Sequence, residues 1–205
     1  MLFRSRIFGP EDLDTLGTMS NLAIVLGDER KFAEAEKIHR EVLEKEVRLL
    51  GPEHRTTAST MTELALDLQH QGRYAEAEKL AREAVVIEQR VEGPENPGYL
   101  GAERSLANVL AAEGHYQDAE RLYRELIRTA TNTNAVSMLA ISWYDLACMS
   151  AKAGRHDEAF EYLGDAVNRG FGRPEWIAAD SDLTSLHGDP RFDALLAKAR
   201  QTATR

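Results

Sequence analysis

The residues able to do chemistry are few and scattered. The six histidines stand at 39, 54, 70, 115, 156 and 187, and no two are spaced as His-x-x-x-His. Cys148 is the only cysteine, so neither an intrachain disulfide framework nor a cysteine-rich zinc site can form. No base can be named beside Cys148, and a lone thiol without one is a structural residue by default. The acidic stretch DSDLTSLHGD at 180–189 lacks the spacing and the glycine of a calcium loop. Neither a phosphate-binding loop nor a G-x-S-x-G nucleophile elbow occurs. These absences predict a protein that is not an enzyme and carries no cofactor or catalytic metal.

Composition narrows the partners. A net charge of −9 over 205 residues leaves no broad basic footprint for nucleic acid. Apolar runs fall well short of the ~20 residues of a membrane span. The opening residues hold two arginines but no signal-peptide core. The expectation is a cytoplasmic protein that binds neither nucleic acid nor membrane.

The elements that must position any site are set by repetition. The triplet GPE stands at 9–11, 51–53 and 93–95, a fixed interval of 42 residues. Its surroundings repeat too: 21–43 resembles 63–85, 105–127 and, after a slightly shorter interval, 145–167. A period of this length is the signature of a repeat array. Each unit reads as two helices. Met61, Leu64, Ala65 and Leu68 lie at i, i+3, i+4 and i+7 and make one apolar stripe. Tyr74, Ala77, Ala81 and Ala84 make the next, with Gly72 ending the first helix and Gly93-Pro94 stopping the second. Beta-branched alternation is missing, so strands are not expected. Helices are predicted near 12–28, 32–49, 54–71, 74–91, 96–113, 116–130, 135–153 and 156–169, with shorter ones after 174. Alanine recurs at 23, 65, 107 and 147, and at 35, 77, 119 and 159. At such places a larger side chain would wedge paired helices apart, at roughly 1–3 kcal/mol.

In these residues the chain resembles the tetratricopeptide repeat family, in the 42-residue form of kinesin light chains and many bacterial proteins. The small-residue positions, Gly72, Gly114 and Gly154, and the following aromatics Phe32, Tyr74 and Tyr116 carry the match over about residues 8–170. Arg30 replaces the glycine in the first unit and His156 the aromatic in the fourth. The resemblance implies an all-α fold: an α-solenoid of four helix-turn-helix repeats in a right-handed superhelix. Its segments are a preceding helix tail at 1–8, repeats at 9–50, 51–92, 93–133 and 134–170, and a C-terminal helical cap at 171–205. It implies a protein–protein interaction scaffold whose first helices line a concave groove. It also allows a second reading, a regulatory module of a larger bacterial signalling enzyme such as a protein kinase.

Going round each first helix at about 100° per residue locates the groove positions opposite the apolar stripe. By resemblance, Ser20, Asn21, Ile24, Thr62, Glu63, Leu66, Arg104, Asn108, Tyr144 and Asp145 form the expected peptide-binding wall. Ile24 and Leu66 are apolar where a purely solvated face would be polar. The clamp of Lys, Asn and Arg used by relatives that hold peptide C-termini is not reproduced. Glu63 and Asp145 favour a partner with positive charge.

The second helices carry Glu36/Arg40, Glu78/Arg82 and Glu120/Arg124, ion pairs of a solvated outer face. In the fourth unit those places are Phe160 and Gly164, which calls for a cover. Phe171, Trp176, Leu183, Leu186, Phe192 and Leu195 are expected to supply it, with Asp180 or Ser181 and then Asp189 as helix caps. The N-terminal LFRSRIF has no such cap, which leaves two expectations: the chain is the C-terminal part of a longer protein, or its first repeat leans on a partner, self-association included.

Overall fold

The computed structural model of the protein describes residues 12–203. Those residues are helical, with no strand among them. The helices are α1 (Leu13–Asp28), α2 (Phe32–Leu50), α3 (Arg55–His70), α4 (Tyr74–Glu92), α5 (Pro97–Glu113), α6 (Tyr116–Asn132), α7 (Val136–Lys152) and α8 (His156–Asn168). After them come α9 (Pro174–Ala179), a 3-10 turn (Ser181–Leu186) and α10 (Pro190–Ala203). The ends fall within two residues of the predicted ones up to α8. The expected tail of a preceding helix at 1–8 lies outside the described residues.

Two compact units divide the chain between Val109 and Leu110. In the first, α1 packs on α2, α2 on α3 and α3 on α4. Ala58 and Met61 of α3, Ala84 and Ile87 of α4 and Ala102 of α5 share one apolar cluster. In the second unit, α6 packs on α7 and α7 on α8. The eight recurrent alanines are all fully buried, as their size requires of residues between close-packed helices.

The turn between the two helices of a repeat explains the Arg30 departure. Gly72, Gly114 and Gly154 hold φ of 75°, 94° and 74°, the left-handed region that closes a helix end. Arg30 takes the same place at φ 62° despite its side chain. The turn geometry is therefore fixed by the packing of α1 on α2, against a local preference of roughly 1–2 kcal/mol.

Ion pairs on the second helices run further than one helix. Arg40 meets Glu36 and reaches Glu76 of α4, while Arg73, just before α4, returns to Glu36 at 2.6 Å. In the second unit Arg155 likewise reaches back to Glu120, at 2.9 Å. The arginine after the turn glycine thus joins one second helix to the next, a link the single-helix spacing does not reveal.

In the second unit the segment after Gly170 closes over α7 and α8. Phe171, Ile177, Leu183, Leu186, Phe192 and Leu196 share a cluster with Ala147, Phe160, Leu163 and Val167. Phe160 is buried, and the Arg191 guanidinium lies 4.0 Å over its ring. Asp180 caps the 3-10 turn by accepting from the Asp182 N–H. Asp189 accepts from Arg191 N–H beside Pro190, the first residue of α10. Two expected members differ. Trp176 is 55% exposed, with Arg173 stacked on its ring at 4.4 Å, because Ile177 takes the inward face of the short α9. Leu195 is only partly buried, and Leu196 is the deeper residue of α10.

Candidate functional site

The first unit has a small cavity where α1, α2 and α3 meet. Its volume is ≈ 130 Å³, and Ile24, Gly27, Asp28, Phe32, His39, Glu63, Leu66, Asp67 and His70 line it. Three of the expected groove residues are therefore brought together: Ile24, Glu63 and Leu66. Ile24 is 40% exposed and Leu66 half-buried, so the apolar walls remain open to solvent.

The floor is polar. His39 is 1% exposed and its Nδ1 lies 2.7 Å from Asp67 Oδ2. The ring's other nitrogen, Nε2, is buried without a partner among the described residues. Asp67 Oδ1 faces α1, where a Cβ on Gly27 would lie 3.7 Å away. Phe32 and His70 stack at 4.3 Å and 12°. Glu63 stands half-buried at the same wall. Burial pushes its carboxyl above the usual carboxylate range, with Asp67 and Asp28 adding to the rise while His39 and Arg104 oppose it.

The signal for this floor was in the sequence as two departures from the repeat. Asp67 occupies the place of Val25 and Val109, and His39 that of Ala81 and Tyr123. A charge at an apolar register position needs a buried partner, and these two departures supply each other.

Other expected residues take different settings. Ser20 is half-buried, with a hydroxyl that has no partner among the described residues, and Asn21 is exposed. The half-buried Thr62 donates its hydroxyl proton to the Ala58 carbonyl at 3.1 Å. Arg104, Asn108 and Asp145 are half-buried.

Tyr144 departs from the expectation of an open wall. It is 6% exposed, stacks on Phe171 at 4.2 Å and donates its hydroxyl proton to Asp180 Oδ2 at 2.5 Å. Cys148 is buried beside the same carboxylate, with Sγ 3.6 Å from Asp180 Oδ2. Burial, then the neighbouring Asp180, pushes the thiol well above its ordinary pKa. The thiol therefore holds its proton at neutral pH. Here the chain's own C-terminal segment occupies the inner face, because that segment must cover the apolar end of α7 and α8.

Among the described residues no three His, Cys, Asp or Glu side chains are grouped to hold a metal ion. No described helix is long and apolar enough to cross a membrane.

Comparison with known proteins places this architecture. A tetratricopeptide repeat family model matches residues 14–84 and 56–132, more than half the chain, which therefore belongs to the tetratricopeptide repeat family. That fold is typical of protein–protein interaction scaffolds. No curated protein matches the sequence. Among solved structures, the nearly identical TPR-like repeats of a candidate kinesin light chain from Podosopora anserina are similar with TM-score 0.65 and 22% identity. That match covers 92% of this chain and 95% of that one. BtubC (BKLC) from P. vanneervenii aligns with TM-score 0.67 at 18% identity, over 99% of this chain and 87% of its own. A Rap protein in complex with competence and sporulation factor aligns with TM-score 0.65 at 14% identity, over 95% of this chain and 61% of its own. At these identities the likeness is one of fold.

Proposed function

We propose that the chain is a non-catalytic scaffold that binds an extended peptide or a segment of a partner protein along its first helices. The observation that carries this reading is the meeting of Ile24 and Leu66, solvent-open apolar residues of α1 and α3, around an acidic cavity. The buried, proton-retaining state of Cys148 supports the non-catalytic part. So does the engagement of His39 with Asp67. Charge supports a partner segment that is basic rather than acidic, since Asp28, Glu63 and Asp67 share one wall.

The test is Leu66→Glu in the full chain, with a partner first captured by the wild type. Leu66 is only half-buried, so the helical circular dichroism and melting curve should be close to wild type. Partner binding should fall by about tenfold or more, the effect of placing a charge in an apolar contact. If every captured partner binds the variant as well as the wild type, binding through this face is wrong.

A further inference from the structure

The cavity between α1, α2 and α3 is too small for a metabolite and too polar for a plain packing defect. Small-molecule sites are about 300–1,000 Å³, whereas this one is ≈ 130 Å³. A hole of about 150 Å³ takes one flat six-membered ring, so the space suits the end of one side chain. An apolar packing defect would leave no polar group unmatched. Here His39 Nε2 is buried without a partner among the described residues, and the Glu63 carboxyl, half-buried at the wall, is pushed up by that burial. Asp67 is already engaged by His39 Nδ1, which leaves Glu63 and Asp28 as the other carboxyl groups of the wall, with Arg104 and His39 acting on Glu63 only through their charge.

We propose that this cavity anchors a single arginine side chain of the partner segment, its guanidinium paired with Glu63 and Asp28 between Ile24 and Leu66. The assignment rests on the groove reading above and names the partner chemistry it would select. Arginine fits better than lysine for two reasons. A planar fork can serve two carboxylates at once, and it can stack on an aromatic face. The Phe32–His70 pair supplies such a face at the cavity wall. Gly27 keeps the space open: its Cα lies next to Asp67, and a long side chain there would fill the cavity without changing its charge.

The experiment is an amide NMR titration of the full chain with the peptide acetyl-Gly-Arg-Gly-amide. Its counterpart with citrulline, an uncharged isostere of arginine, is the control. The arginine peptide should shift the amides of residues 24–28 and 63–70 and saturate. The citrulline peptide should bind at least about tenfold more weakly, the loss of a charge-assisted pair. Glu63→Gln should lower arginine affinity by a similar factor, and Gly27→Leu should abolish it. If Gly27→Leu does not fold, Glu63→Gln alone decides. Equal binding of both peptides, no saturable shift, or an unchanged Glu63→Gln titration would each overturn the assignment. Failure here while Leu66→Glu still abolishes partner capture would leave the groove reading standing. Arginine binding with capture unaffected by Leu66→Glu would remove the groove reading and keep the pocket.

Discussion

The same register position has opposite fates in the two units. In α1 and α3 it holds Ile24 and Leu66, which wall an open cavity. In α7 it holds Cys148, buried beside Asp180 from the chain's own C-terminal segment. One position before the next inward turn, Thr62 folds back on its own helix while Tyr144 is fastened to that same Asp180. The same kind of helix face is thus treated differently in the two units. In the second unit the chain covers it with its own helices, and in the first unit it leaves polar groups unmatched and room for a side chain.

The largest way to break this comparison is to remove the cover. Truncation after Gly170 exposes what Ile177, Leu183, Leu186, Phe192 and Leu196 now bury, and each such side chain contributes about 1.5–3 kcal/mol when buried. Hydrogen exchange should show protection lost around 140–168 and largely kept around 32–70, since coupling in a repeat array passes mainly between neighbours. Trp176→Ala is the matched control: at 55% exposed its loss should change stability by about 0.5 kcal/mol or less. Unchanged protection in the truncated chain would mean that the segment does not stabilise α7 and α8.

The next effect concerns the cavity floor. Asp67→Ala leaves the His39 ring buried without its hydrogen-bond partner and should cost about 1–3 kcal/mol in urea unfolding. Replacing both, as His39→Leu with Asp67→Val, should recover most of that loss, since valine is what α1 and α5 carry at this place. A double variant as unstable as the single one would show that the pair is not the source of the cost.

The smallest of the three sharpens how the first unit tolerates buried acid. Glu46 is 2% exposed, with Oε2 unpartnered, and burial raises its pKa against the opposing Thr60 and His39. A carboxyl whose folded pKa is raised contributes stability below its unfolded pKa and loses it as pH climbs through the folded value. Glu46→Gln should therefore raise the melting temperature by about 2–4 °C at pH 7 and change it little near pH 4. A variant less stable than wild type at pH 7 would indicate that the carboxylate is compensated.

The period of 42, the alanine positions and the glycine turns were legible because solenoid helices meet neighbours of the same kind. Each position then has a nearly constant environment, and repetition reports it. Helix ends followed for the same reason, and so did the burial of Phe160, whose place in earlier units is charged. The candidate site was legible only in part. Ile24, Glu63 and Leu66 were located by face, but His39 and Phe32, which meet Asp67 and His70 of α3, come from α2, at separations a single-helix wheel does not join.

What the sequence determined by itself was the fold, the helix pairs and the inward face of each first helix, since these follow from periodic apolar and small residues. What only the tertiary structure decided was which inward faces stay open. Tyr144 and Ile24 sit on comparable faces of their helices, and nothing local distinguishes them. Asp180, 36 residues beyond Tyr144, closes one by bonding its hydroxyl under Phe171. The other stays open among the described residues, where Gly27 brings no side chain into the space between Ile24 and Leu66.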